Sequence, residues 1–253
     1  MDKTGKRIQG YLECDSTIVR ITSLEDIKDF LVRFGKTTNE MSESELYQLT
    51  KQKSSDDDLI KDDCDIAYSQ NPKILQWGTP VINYKVEEET IAIADNAFAL
   101  NSSSNSSSYR LTSILLPESI ICIGQSSFIH KRNLVRINFP NSLRMIGDHA
   151  FKDCNKLKEV VLPKSIQFLG RRSFEETAID TITVPPRVEK IGSYAFANCS
   201  QLKTVVFKGI PKTIGSEVFG NDLALEKIII PSGSIDYFVK ELFPLSKELF
   251  EEV

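Results

Sequence analysis

Six phenylalanines constrain this chain more than anything else in it. Phe98, Phe128, Phe151, Phe174, Phe196 and Phe219 follow one another at intervals of 30, 23, 23, 22 and 23 residues. A fixed period of this length marks stacked repeats, in which each unit touches only its neighbours. Four residues before each Phe stands a glycine (Gly124, Gly147, Gly170, Gly192, Gly215), with Ala94 breaking the column, and directly before it a small residue in all but the last copy, Val218. The one long interval holds a Ser-rich insert, Asn101 to Tyr109.

After each Phe comes a strand signature closed by proline, as in Leu134-Val-Arg-Ile137-Asn-Phe139-Pro140 and Leu225-Glu-Lys-Ile228-Ile-Ile230-Pro231. Proline ends the strand because it cannot donate to a ladder. A second short extended run follows, as in Leu143-Arg-Met-Ile146, and the glycine after it is expected to supply a permissive turn into a one-turn helix carrying the Phe. Each repeat is then one coil of a β-rich α/β solenoid. No coil buries its Leu, Ile and Phe alone, but about six coils stacked roughly 4.8 Å apart pool them into a continuous core.

The segment Ile146 to Ile166 reads Ile-Gly-x-x-Ala-Phe-x-x-Cys-x-x-Leu-x-x-Val-x-Leu-Pro-x-Ser-Ile. That pattern resembles the BspA-type leucine-rich repeat, and the lead-in Tyr84-Lys-Val86 before Thr90-Ile91 resembles the start of that family's first coil. The resemblance runs from about Tyr84 to Ser234. Departures are the Ser-rich insert, a fourth copy one residue short, and Lys208 where proline is expected. It implies a non-enzymatic protein-recognition role, with some family members acting in adhesion to host surfaces.

Three regions are expected. Residues 1–76 form an N-terminal region with a strand within Tyr11 to Ile21, two short helices and an acidic linker; residues 77–234 form the solenoid; residues 235–253 form a helical C-terminal cap. Ser23 with Asp26 reads as an N-cap ahead of the amphipathic run Leu24, Ile27, Phe30, Leu31, Phe34. Ser42 and Glu45 make a stricter capping box for the second helix, through about Lys51. The Asp-rich stretch Ser54 to Asp65 lacks the Gly and Glu of a calcium loop and reads as a solvated linker.

Chemistry finds little footing. The two histidines, His130 and His149, stand beside no nucleophile motif, and no phosphate loop or dinucleotide fingerprint is present. No catalytic residue, cofactor or metal is expected. Five cysteines include no Cys-x-x-Cys, and Cys154 and Cys199 share one column two coils apart, roughly 10 Å on the ladder spacing, too far for a disulfide. Thr177 holds the same column between them, so small buried side chains are expected there.

Charge is unevenly spread around a net of −4. Residues 110–212 carry 16 Lys and Arg against 8 Asp and Glu, residues 1–109 carry 12 against 19, and residues 213–253 carry 3 against 8. A basic middle between acidic ends suits an acidic partner or internal neutralisation. Nucleic acid is disfavoured, because the cations are not interleaved with aromatics. The start, Met1-Asp-Lys-Thr-Gly-Lys-Arg, lacks the apolar stretch of a secretory signal, which points to the cytoplasm unless the natural N-terminus differs or export is unconventional. No apolar run approaches a membrane span.

The expected function is therefore a protein–protein interaction module presenting a ribbed sheet. The alternatives are a surface adhesin for host matrix protein or glycan and, lower, a polyanion binder. On the main strands, alternation points Leu115, Asn138, Val161, Thr183, Val206 and Ile229 outward, forming a candidate partner-binding stripe. On the second run, Cys122, Met145 and Phe168 make an apolar column beside Arg144. Such a column needs covering, and Leu24 to Phe34 is the expected cover, its acidic neighbours answering Arg144, Arg171 and Arg172.

Overall fold

A computed structural model of the chain describes residues 10–14, 17–21, 41–51, 59–64, 66–70, 73–78, 81–99 and 111–253. Each coil has three sides, and each side stacks on its counterparts in a different way.

The first side carries the main strands, all parallel. β6 (Asn83–Lys85), β8 (Ser113–Leu115) and β10 (Arg136–Ile137) form one sheet, with Tyr84 opposite Ile114 and Ile114 opposite Ile137. β13 (Thr181–Val184), β15 (Thr204–Phe207) and β17 (Lys227–Ile230) form a second. Between them lies the coil of Phe151, whose residues 157–162 form no strand. The expected ribbed sheet is therefore split in two. Phe139 accompanies the split: its ring meets Phe151 and Phe174 edge-on at 5.6 and 6.2 Å and so leans across two coils rather than one.

The second side is continuous. β7 (Ala92–Ile93), β9 (Cys122–Ile123), β11 (Met145–Ile146), β12 (Phe168–Leu169), β14 (Lys190–Ile191) and β16 (Thr213–Ile214) pair in parallel order. On the N-terminal flank the same sheet takes in β5 (Lys73–Trp77), parallel to β7, and then the antiparallel strands β4 (Ala67–Gln70) and β3 (Ile60–Lys61), giving nine strands. Tyr68 on β4 and Tyr84 on β6 share a hydroxyl–hydroxyl bond, and Tyr84 donates to Asp62, whose other oxygen accepts from Ile66 N at 2.9 Å. These bonds tie the flanking strands to the first coil.

The third side corrects the expected one-turn helix. Ala150 N donates to Gly147 O, Lys152 N to His149 O and Cys154 N to Phe151 O, which are three successive tight turns. The amides between them, of His149, Phe151 and Asp153, donate instead to Arg171, Ser173 and Glu175 of the next coil at 2.8 to 2.9 Å. A helix would consume every amide within the coil; this alternation sends every second one to the neighbour. It requires left-handed backbone at two columns, occupied by Asn96, Ser126, His149, Arg172, Tyr194 and Glu217, and by His130, Asp153, Glu176, Asn198 and Asn221. The position of His149 accepts many residue types because its constraint lies in the backbone.

The glycine column has a different cause from the permissive turn expected of it. A Cβ on Gly170 would lie 2.4 Å from Gly147 C and 2.5 Å from Asp148 N, backbone atoms of the preceding coil. These glycines let coils touch. Inside, the six Phe rings stack at centroid distances of 5.1 to 5.9 Å and interplanar angles of 1 to 16°. Offset stacking of this kind adds to the burial of each ring.

The C-terminal cap is only partly helical. α2 (Ile235–Glu241) sets Phe238 against Phe207 at 4.6 Å, a 3-10 turn follows at Lys247–Leu249, and β18 (Phe250–Glu252) then pairs parallel with β17. Glu252 accepts from Ser234 N and Ile235 N, both at 2.9 Å, anchoring the last strand to the start of α2. At the other end, β1 (Gly10–Cys14) and β2 (Thr17–Ile21) form an antiparallel hairpin where one strand was expected; Asp15-Ser16 between them are turn-favouring types.

Candidate interaction surfaces

Of the outward stripe, Leu115 is 50% exposed and Val161 81%, Thr183 is exposed, and Val206 and Ile229 are half-buried. Asn138 is tied down. Its amide donates to Leu116 O at 2.8 Å and its oxygen accepts from Leu116 N at 2.6 Å, so the side chain does the work of a strand's backbone. A groove of about 530 Å³ runs over β6, β8 and β10, lined among others by Lys85, Leu115, Arg136 and Ile137.

The column on the second side lies covered. α1 (Glu43–Lys51) begins with the capping box: Ser42 N donates to Glu45 Oε2 at 2.6 Å, and Glu45 N to Ser42 Oγ at 3.3 Å. Met41, Leu46 and Leu49 pack against Ile74, Ala92, Ile121, Cys122 and Met145, with Phe168 at the margin. The covering helix is α1; Leu24 to Phe34 lies outside the described residues.

Polar contacts fix α1 in place. Arg144, 2% exposed, donates to Met41 O at 2.7 Å and through Nε to Gln167 Oε1 at 2.7 Å. Burial lowers its pKa. Tyr47 donates to Asp148 at 3.1 Å, and burial beside that carboxylate pushes the phenol well up. Asp95 N donates to Thr50 O at 2.9 Å. Lys190 grips both oxygens of Glu43 at 2.8 and 2.9 Å.

The acidic residues around Leu24 to Phe34 lie outside the described residues, and Arg172 pairs within the solenoid. Its partner is Glu175 of its own coil at 3.1 Å, with the guanidinium 4.8 Å over the Tyr194 ring. Arg171 is exposed, and its backbone amide donates to Asp148 at 2.8 Å. Among the described residues, Lys190 is a cation that meets an N-terminal carboxylate, Glu43, a pairing that only the fold could place. Elsewhere the basic middle is answered along the stack: Lys152 by Glu175 and Glu176 at 2.5 and 3.0 Å, Arg132 by Asp153 at 2.7 Å, Lys212 by Glu189 at 2.6 Å.

The cysteine column is a capping column. Cys154 donates to Phe128 O at 3.2 Å, Cys199 to Phe174 O at 3.3 Å, and Thr177 to Phe174 O at 2.9 Å. Burial pushes the Cys199 thiol up to about 12 and those of Cys122 and Cys154 higher still. Thiols so held are poor nucleophiles. Lys131 and Asp222 occupy the same column: burial draws the Lys131 ammonium down to about 8 and lifts the Asp222 carboxyl to about 7. His130 Nδ1 lies 3.0 Å from Asp153, a carboxylate it shares with Arg132. Among the described residues no group of three or more His, Cys, Asp or Glu could hold a metal ion, and no helix is long and apolar enough to cross a membrane.

The BspA type leucine rich repeat region matches the chain in six copies, over residues 79–200 and 121–249. The chain belongs to the BspA-type leucine-rich repeat family. Among solved structures, the pneumococcal vaccine antigen PcpA is similar to it at a TM-score of 0.65 and 20% identity, over 79% of this chain and 49% of that one. A leucine-rich repeat protein of T. pallidum, TpLRR, is similar at 0.55 and 21%, over 79% of this chain and all of that one. A leucine-rich repeat protein of Bacteroides ovatus is similar at 0.52 and 22%, over 70% of this chain and 49% of that one. These are likenesses of fold, and the aligned part is about half the length of PcpA and of the Bacteroides chain. No curated protein sequence matches.

Proposed function

We propose that this leucine-rich repeat chain is a non-enzymatic module that binds a protein partner through the outward face of its main strands. The exposed apolar pair Leu115 and Val161 carries the reading. Each is a large aliphatic side chain exposed where solubility alone favours polar residues, Leu115 on the paired strand β8 and Val161 on the unpaired segment 157–162. The second side does not compete for the role, because α1 already lies on its apolar column.

The test is partner capture from native lysate by the full chain, with Val161→Asp and Val206→Asp beside the unaltered protein. Both variants should retain the fold by circular dichroism and lose the captured partner. Unchanged capture removes the face from consideration. Retention on immobilised matrix protein or glycan, sensitive to the same two changes, would favour the adhesin form of this reading.

A further inference from the structure

We infer that the break in the main sheet is the anchor of the binding face, and that it takes an extended, acidic segment of a protein partner led in by an apolar side chain. This rests on the reading that the main face binds protein.

The backbone gives the first argument. Lys203 N donates to Asp180 O and Val135 N to Thr112 O, linking main strands across successive coils. Among the described residues no such bond joins 136–139 to 158–162, and only the neighbouring Leu157 reaches the following coil, its carbonyl accepting from Ala178 N. The break is local, because the nine-stranded sheet and the turn ladder run through this coil uninterrupted.

Burial gives the second. Inward residues of the main strands are sealed elsewhere, as at Ile114, Ile182, Val205 and Ile228, but Ile137 and Phe139 are only half-buried. Leu115 and Val161 flank them on the outside. An apolar side chain entering here would meet apolar surface on both sides, the arrangement that makes an interface anchor.

Charge gives the third and selects the partner. The groove over β6, β8 and β10 is lined by two cations, Lys85 and Arg136, and by no anion. Lys85 meets Glu88 at 3.2 Å, but both side chains are about two-thirds exposed, so water weakens that pair. Register places Arg136 and Lys85 at opposite corners of the three strands, with Leu115 between. Both cations lie on the β6–β10 side of the break, Arg136 beside it and Lys85 two strands away, so carboxylates following the apolar anchor match that layout, and such complementarity guides encounter as well as fit.

The probe is a fluorescein-labelled peptide, Glu-Glu-Phe-Glu-Glu, titrated with the full chain by fluorescence anisotropy at low salt. Saturable binding is expected, weakened about tenfold in the all-Gln peptide, on replacing the peptide's Phe by Ala, and in Arg136→Glu, but not in Lys240→Glu, which reverses an exposed charge on α2. Absence of saturable binding, equal binding of the Gln peptide, or equal weakening by Arg136→Glu and Lys240→Glu would overturn the proposal. If the peptide fails while Val161→Asp still abolishes partner capture, the break is not the anchor and the face stands. If capture ignores both stripe variants, the face falls and takes this proposal with it.

Discussion

Replacing Gly170 with Ala separates two accounts of why glycine recurs in every coil. No positive φ is found at that column, so on backbone grounds alone alanine would be tolerated and any loss reports on contact between coils. The structure instead sets the new Cβ 2.4 Å from Gly147 C and 2.5 Å from Asp148 N, about an ångström short of the 3.4 Å where ordinary contact begins. Both neighbours are backbone and cannot swing aside. Relief means parting the coils, which strains the bond from Gly170 N to Ile146 O at 2.8 Å and the ladder bond from His149 N to Arg171 O at 2.8 Å. Overpacking of about 1–3 kcal/mol with one weakened buried bond of about 1 kcal/mol predicts a loss of about 2–4 kcal/mol. The paired variant is His149→Gly, where φ is +57°. Releasing a left-handed residue gains about 1–2 kcal/mol, offset by about 0.5–1 kcal/mol of added freedom in the unfolded chain. Urea melts of the two variants should move in opposite directions, or His149→Gly should hardly move. A silent Gly170→Ala with a destabilised His149→Gly would refute the reasoning.

Two further outcomes follow from buried groups. Asp222 is raised from 3.8 to about 7 by burial, against the favourable amide of Cys199 at 2.7 Å, so between about pH 4 and 7 the folded chain keeps a proton that the unfolded chain has lost. Stability from this group is fully present at low pH and is lost as pH rises through 7; Asp222→Asn should remove that slope and exceed the parent by about 2–4 kcal/mol at pH 8, and urea melts with an unchanged slope would count against it. Leu46→Asp should lift α1 from its seat and let Cys122, buried beneath it, react with an aromatic disulfide reagent under native conditions; mapping the labelled thiol checks this, and an unreactive Cys122 in a folded variant would show that α1 is not its cover.

What the sequence made legible was whatever repeats by side-chain type. The Phe stack, the outward stripe and the need to cover Cys122 and Met145 all rest on apolar periodicity, which burial enforces coil after coil. The Ser42–Glu45 box was legible because its two reciprocal bonds require those residue types at that spacing. The left-handed columns were not, because a backbone constraint is met by His149, Tyr194 and Glu217 alike and leaves no chemical trace. That α1 lies on the second side was also hidden, because its seat depends on Arg144 finding Met41 O and Lys190 finding Glu43 across about a hundred residues or more. The main-sheet break left no trace in residue type: Phe139 shares its column with Leu116, Leu162, Val184 and a second aromatic, Phe207, whose strand β15 is paired on both sides.

The alternating amides of the turn side bear on how the molecule answers tension. Each coil is buttoned to the next along two continuous seams, the turn side and the nine-stranded sheet, while the third seam is unfastened at residues 158–162. A load drawing the ends apart peels coils singly, so extension advances in steps of about 8 nm, the reach of 22–23 residues at about 3.5 Å each. The step crossing the coil of Phe151 meets one seam fewer and yields at the lowest force. A chain built this way stretches in instalments, with its softest rung lying where Ile137 and Phe139 already meet the solvent.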